Sequence, residues 1–422
     1  MSNNIFLKRL FQAYYQEKKD QLPIINSLER REFGFIPWEK SIMIRHMGFG
    51  NYEYLNTYLI ENGPRHVFSS GALYLVPDNQ DMEKKESQGC DFLIDIDVDH
   101  FYTPCKDNHD LWYCKECGKS DKGMQNKCPK CGSVKLEYLN WICENCLEVA
   151  KKEIFKLIDD FLIPDFGFEA SNLKISYSGH RGYHIKVDDK RIQALSSEQR
   201  REIVDYLTGD NISFGVLGLE EKSSNIYGLT KENLGWSKKI VNKIEELLQR
   251  SDDNQLQNTL LNFGLNLGAV KSFLNSKKDF LQVLASKDRN LWNIEGFKII
   301  NWTLFLNGIA HLIGAEIDRP VSIDTHRLIR YPGSLNGKTG FKVQELSLED
   351  LENFTPFNET NEKLDPIVFS STKTQKIEII EHYVPEIKLK DKVYGPYVQG
   401  EMPNVPNHVA VYLLCKDVAR TV

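Results

Sequence analysis

A chain of 422 residues is too long for one ordinary core, so its material is expected to divide between a main domain and one or two smaller inserted units. Hydrophobic residues make up 41% and charged residues 27% of the chain, a balance that excludes global disorder. The formal net charge of -6 offers no bulk attraction for phosphate, so contact with nucleic acid has to come from local basic patches.

The stretch from Met1 to Asp20 sets Lys8, Arg9, Glu17, Lys18 and Lys19 among apolar residues at helical spacing. It lacks the unbroken apolar run of a signal peptide. No later run approaches the roughly 18 apolar residues of a membrane span. These features argue for a cytoplasmic protein without a membrane partner. Short apolar runs at Ala72 to Val76 and Phe92 to Val98, separated by turn residues such as Pro77, Asp78 and Asn79, predict strands of one sheet.

The run from Asp91 to His100, DFLIDIDVDH, alternates as only a strand does. Phe92, Ile94, Ile96 and Val98 go to one face, and Leu93, Asp95, Asp97 and Asp99 to the other. Carboxylates then stand roughly 7 Å apart along one face, and such like charges repel unless a cation sits among them. Mg²⁺ and Mn²⁺ prefer carboxylate oxygen and keep positions open for water and phosphate. The competing reading is a strand that ends in a solvated acidic turn; Asp318, in EIDRP, is the candidate third acid.

Seven of the nine cysteines lie between Cys105 and Cys146, in a spacing that suits metal ligands and a reducing compartment better than a disulfide framework. Cys114, Cys117, Cys128 and Cys131 have the spacing of a structural zinc knuckle, with Gly118 and Gly132 placed to relax each turn. Cys143 and Cys146 need outside partners. Cys105 and His109 are the nearest, giving a second tetrad, with His100 the alternative fourth ligand. Redox or catalytic use of these thiols is the lesser reading, and Cys90 and Cys415 read as packing residues. Six lysines between Lys115 and Lys135 face only Glu116 and Asp121, so the knuckle is a candidate template contact or simply a solvated basic surface.

Beyond the cysteines, Leu147, Ala150, Ile154, Leu157, Ile158, Phe161 and Leu162 follow amphipathic helical spacing, closed by Pro164. Leu173 to Tyr177 and Tyr183 to Val187 predict strands around the turn Ser178 to Gly182. That turn, in YSGHRGYH, gathers Ser178, His180, Arg181 and His184 around two glycines, a composition suited to gripping phosphate. A polar hairpin with scattered histidines is the alternative. From about Ser196 to Ile313 the sequence turns Leu-, Lys- and Asn-rich with helical periodicity, as at Ile240, Ile244, Leu247 and Leu248, and predicts a helical insertion. Strand patterning returns at Val321 to Val343, which carries Arg327, Arg330 and Lys338, and Glu349 to Asp365 reads as a polar linker or surface excursion. No internal repeat is present.

Taken in order, DIDVDH, SGHRGYH and EIDRPVSIDTHRLIRYPGSLNGKTG resemble the motifs of the archaeo-eukaryotic DNA primase small subunit, archaeal type. The likeness runs from about Arg30 to the C-terminus and is weakest in the helical insertion. It implies a mixed α/β primase-type core with a small sheet flanked by helices, divided as core at 1–104, 148–195 and 314–422, zinc module at 105–147 and helical insertion at 196–313. It implies that Asp95, Asp97 and Asp318 hold the catalytic Mg²⁺ or Mn²⁺. It further implies that Ser178, Arg181, His184, Arg330 and Lys338, with His180 as an added contact, hold the triphosphate of the incoming nucleoside triphosphate. Arg31 to Gly34 and Met43 to His46 resemble another family segment, in which Glu32 and Arg45 serve the nucleotide site. One departure is Asn336, where family members commonly carry His; Asn still hydrogen-bonds but cannot become cationic.

The outer set Cys105, Cys143 and Cys146 resembles the family's structural zinc module, and the inner set is an added knuckle. The implied activity is template-directed primer synthesis on single-stranded DNA for replication, releasing pyrophosphate, by a heterodimer with a primase large subunit within a primosome. The rival enzyme reading is a related polymerase that extends or repairs ends without initiating. From another class, a non-catalytic zinc-knuckle adaptor would bind no nucleotide in a metal-dependent way.

Overall fold

The acid-bearing segment folds as its alternation demands: Phe92–Asp97 is a strand whose Phe92, Ile94 and Ile96 are fully buried. In the computed structural model it edges an antiparallel sheet in the order Gln344–Leu346, Leu173–Tyr177, Gly182–Val187, Phe92–Asp97. The register sets His184 opposite Asp95 and Ser176 opposite His184, so the three share one face in a row. Gly182 stands opposite Asp97, where a Cβ would lie 2.1 Å from the Ile96 carbonyl oxygen. Only glycine lets the turn close onto the acid strand there.

A second antiparallel sheet, ordered Leu328–Arg330, His66–Ser70, Phe33–Ile36, Ile44–Met47, carries Arg330 beside Phe68. Arg31, just before this sheet, is buried against Asp91, just before the acid strand, at 2.7 Å. The helix Glu144–Leu157 continues as a wider π-turn, Ile158–Leu162, and all seven apolar positions expected on its inner face are buried. The cysteine module forms a three-stranded sheet with Leu111–Cys114 between Ser120–Lys122 and Leu136–Leu139. The C-terminal helix Asn407–Cys415 is buried from His408 to Cys415, and Cys90 and Cys415 pack in the interior.

Residues 2–286, 290–358 and 362–422 are described. Met1, positions 287–289 of the expected helical insertion and 359–361 of the expected polar linker lie outside the described residues. The chain divides into two units, one running from the N-terminus to Arg200 and from Ile317 to the C-terminus, the other from Arg201 to Glu316. Within the second, the helices Trp236–Arg250, Asp253–Asn262, Leu267–Ala285 and Ile299–Ile313 enclose an aromatic core of Phe273, Phe280, Trp292, Trp302 and Phe305. A short hairpin, Glu220–Lys222 with Asn225–Tyr227, is its one departure from helix among named elements of the described residues. No helix among the described residues is long and apolar enough to cross a membrane.

Three stretches differ from expectation. Ala72–Tyr74 does not share a sheet with Phe92–Asp97: the turn residues after Val76 fold it back onto Ser87–Cys90 in a separate two-stranded ribbon. Val321 belongs to a helical turn, Arg319–Ile323, because Pro320 presets the first-turn backbone just after Asp318. The polar stretch from Glu349 starts inside a helix, Leu348–Asn353, because Ser347 and Asp350 form a reciprocal capping box.

Candidate active site

Asp95 and Asp97 leave the same face of the acid strand two residues apart, and the backbone brings Asp318 to them: its N–H donates to the Asp95 carbonyl at 2.8 Å. Burial first, then the charges of Asp97 and Asp318, push the Asp95 carboxyl up to about 8. Asp97 is also raised, by burial and by Asp99. Its Oδ1 accepts the Asp99 N–H at 2.9 Å. Asp97, Asp99 and His180 present donor atoms within 4.8 Å of one another. Acids held this close resist ionisation together, so their chemistry fits a divalent cation that takes up the charge.

Beside the acids lies a set of basic side chains, some neutral and some charged. His184 Nε2 sits 3.4 Å from Asp95 Oδ1; burial, then Arg330, pushes its imidazole down to about 3 and keeps it neutral. Arg330 stacks on Phe68 at 5.2 Å and contacts His66 Nδ1 at 2.8 Å. Burial lowers Arg330 to about 10 against the opposing pull of Asp95 and Asp97. His66 and His180 are both held well below the usual imidazole range, by burial and by a shared surround of Arg330 and Lys338. Lys416, at the end of the C-terminal helix, places Nζ 2.8 Å from His180 Nε2 and 2.7 Å from the Asn140 carbonyl. Burial, then Arg181 and Lys338, drops this amine to about 7. A place where neutral histidines and crowded cations meet is electrostatically short of an anion.

The cysteines form two tetrads. Donor atoms of Cys105, His109, Cys143 and Cys146 lie within 4.8 Å of one another, as do those of Cys114, Cys117, Cys128 and Cys131. Facing sulfurs are 3.4 Å apart for Cys105 and Cys146 and 3.5 Å apart for both Cys114–Cys131 and Cys117–Cys128. Tetrahedral donors about 2.3 Å from a zinc ion stand about 3.8 Å apart, so both sets fit that ion. The fourth outer donor is His109, whose Nε2 is 3.3 Å from Cys146 Sγ. His100, the alternative, turns to Asp318 at 3.6 Å.

The family model for the DNA primase small subunit matches residues 136–347. The chain is 30% identical to the DNA primase small subunit PriS of Methanococcoides burtonii, over 99% of this chain and 98% of that one. It is 31% identical to PriS of Methanothrix thermoacetophila, over 98% of each, and 28% identical to PriS of Nitrosopumilus maritimus, over 98% of this chain and 97% of that one. The chain belongs to the DNA primase small subunit family.

In this family member three of the residues expected at the nucleotide have partners within the protein. Arg181 was expected to fork onto phosphate, but it is wholly buried and its Nη1 donates to both Asp110 carboxylate oxygens at 2.9 Å and to the Trp141 carbonyl at 2.9 Å. Asn336, also fully buried, donates to the Ser178 carbonyl at 2.9 Å and accepts the Lys338 N–H at 3.0 Å. Both ends of the amide are engaged in joining two turns. Glu32 is fully buried and takes Arg45 Nε at 2.8 Å, the His46 N–H at 3.2 Å and Lys85 Nζ at 3.2 Å. Burial works to raise Glu32, but Arg45 and Lys85 win and hold it below the usual carboxylate range. Arg45 also donates to the His326 carbonyl at 3.0 Å, which pins the segment following Asp318.

The turn Ser178 to Gly182 is clamped from the other strand-turn as well, since Thr339 Oγ1 donates to the Gly179 carbonyl at 2.5 Å. Gly179 has φ +75° and a Cβ there would meet Asn336 at 2.8 Å, so both backbone and space require glycine. Sequence reasoning missed His66, Lys416 and Asp110. His66 and Lys416 stand alone in unremarkable contexts; Asp110 carried a signal, as an acid directly after a candidate histidine ligand.

Proposed function

We propose that this chain is the catalytic subunit of a DNA primase, which joins nucleoside triphosphates opposite a single-stranded DNA template and extends the product. The single observation that carries the reading is the meeting of Asp95, Asp97 and Asp318 beside a group of basic side chains, with burial and the charges of Asp97 and Asp318 driving Asp95 up to about 8. Asp95, Asp97 and Asp318 hold two divalent ions. When bound, Mg²⁺ or Mn²⁺ there lowers the pKa of the attacking 3′-hydroxyl and neutralises charge growing at the α-phosphate.

Arg330 and Lys338 carry the triphosphate's charge, and His184 and Ser178 donate hydrogen bonds to its oxygens. Lys416, against His180 at 2.8 Å, adds to the same positive field. Glu32, Arg181 and Asn336 act through others: Glu32 sets Arg45, Asn336 joins Ser178 to Lys338, and Arg181 braces the end of the acid strand. The protein thus contributes position and electrostatics, with pyrophosphate leaving in line. The two cysteine tetrads hold structural zinc. Lys115 is paired with Glu137 and Lys135 with Glu116, at 2.7 Å for the latter, and Lys122 lies over the Tyr383 ring at 5.3 Å; this leaves Lys119, Lys127 and Lys130 of the knuckle to meet the template backbone. A primase large subunit is the partner that the relatives' name, small subunit, points to.

The test is product formation on unprimed single-stranded DNA, with a primed template alongside and a chelator control. Labelled products of a few nucleotides on the unprimed strand, lost with chelator, are expected. Extension of the primed template alone would reassign the chain to an end-extending polymerase.

A further inference from the structure

Arg181 is the most completely enclosed cation beside the acids, and its socket is built from the two segments that carry the outer metal ligands. Asp110 follows His109 directly, and Trp141 lies two residues before Cys143. Asp110 Oδ1 contacts His109 Nδ1 at 2.9 Å and accepts the Trp141 N–H at 2.9 Å, while both carboxylate oxygens take Arg181 Nη1 at 2.9 Å. The Trp141 carbonyl accepts from the same Nη1 at 2.9 Å. On its other side Arg181 Nε lies 3.1 Å from Asp99 Oδ1, the Arg181 carbonyl accepts the Val98 N–H at 3.3 Å, and the Asp99 N–H donates to Asp97 Oδ1 at 2.9 Å. Asp110 is 3% exposed and Arg181 0%, so neither contact is diluted by water.

We infer that Asp110 is a positioning residue that ties the outer metal tetrad to the catalytic acids, through His109 on one side and Arg181 on the other. A metal ion in that tetrad staples the Cys105–His109 segment to Cys143 and Cys146, and so fixes the two sides of the Arg181 socket. With the socket fixed, Arg181 holds Asp99 and the end of the acid strand, and the Asp97 carboxylate keeps its direction. Without Asp110, His109 loses the acceptor that sets its ring orientation, and Arg181 loses the only carboxylate among the described residues that grips its Nη1. A residue that supports a metal-bound histidine from behind typically changes metal affinity or activity by about 10–100-fold when removed. Asp110 does this twice, once for each site.

The kinetic part of this inference rests on the primer-synthesis reading, and the metal part does not. The experiment therefore takes two readouts from full-length, zinc-loaded protein: zinc release to a chromogenic chelator, and kcat and KM for nucleotide in primer synthesis. Asp110→Asn is expected to speed release from the outer tetrad by about 10–100-fold, while the inner tetrad releases as in the unaltered protein. It is expected to lower kcat by about the same factor, with little change in KM, since Arg181 braces the acids and does not grip the substrate. His109→Cys serves as the second variant: the thiolate keeps a fourth zinc donor but has no Nδ1 to meet Asp110. Zinc content should stay at that of the unaltered protein while kcat falls. Unaltered release from Asp110→Asn, or full kcat from zinc-loaded His109→Cys, overturns the inference. Should the unaltered protein make no primer at all, the functional reading fails, and the zinc-release arm still decides the tie between Asp110 and His109.

Discussion

Replacing Asp95 by Asn should stabilise the protein in chelator and abolish what metal does for it. In the unfolded chain this carboxyl ionises at its ordinary value of 3.8, but folding pushes it up to about 8. The side chain is 22% exposed, so most of the cost is felt in the interior. At about 1.4 kcal/mol per pKa unit, ionising Asp95 at pH 7.5 costs the metal-free fold at most about 5 kcal/mol, part of which small movements and entering water relieve. Between pH 4 and 8 the folded chain binds the extra proton and the unfolded chain does not, so stability falls as pH rises through that window. Asn removes the penalty, and with about 2 kcal/mol regained, Tm in chelator should rise by about 2 °C at pH 7.5 and by much less at pH 5. Mn²⁺ at a hundred times its Kd should stabilise the unaltered protein by about 2.7 kcal/mol. Asp95→Asn should gain little of this and make no product. The assay is thermal unfolding across pH, with chelator or Mn²⁺. A lower Tm for the variant in chelator, or an equal gain with Mn²⁺, would refute the reasoning.

Arg330→Ala should raise KM for nucleotide by about 10-fold or more with a smaller change in kcat, because a buried charge-assisted contact to phosphate contributes roughly 1.5–3 kcal/mol; steady-state kinetics checks this. Asn336→Ala should lower Tm and raise KM together, since it strands the Ser178 carbonyl and the Lys338 N–H at about 1–3 kcal/mol each. Metal analysis should find two zinc ions per chain, and Cys128→Ser should remove one while the outer tetrad keeps its own.

Much of the site was legible because its logic is local. The alternation of DFLIDID needs a strand, paired C-x-x-C spacings need a metal, and glycines around Ser178 need a tight turn; each constraint is satisfied within a few residues. The inner face of the helix from Leu147 to Leu162 was readable for the same reason, although the π-turn within it was not. What the sequence could not convey is which polar side chains point inward. Arg181 pairs with Asp110, 71 residues away, and Asn336 gives its amide to Ser178, 158 residues away, partners that no local spacing announces. Glu32 pairs with Arg45 and Lys85, which family likeness, naming a position without its neighbours, does not convey. Lys416 left no trace at all, since a lysine at a helix end ordinarily faces solvent. The helix at Leu348–Asn353 was a different failure, because its capping box stood in the sequence and was outweighed by the polar residues around it.

Asp318 stands more than two hundred residues from the acid pair, and the account requires that all three acids serve the same ions. Titration of Mn²⁺ in the presence of a non-hydrolysable nucleoside triphosphate, with the unaltered protein and Asp318→Asn side by side, tests this directly. The unaltered protein should take up two ions at this site and the variant one or none. Equal Mn²⁺ uptake by the variant, together with undiminished primer synthesis, would contradict the account.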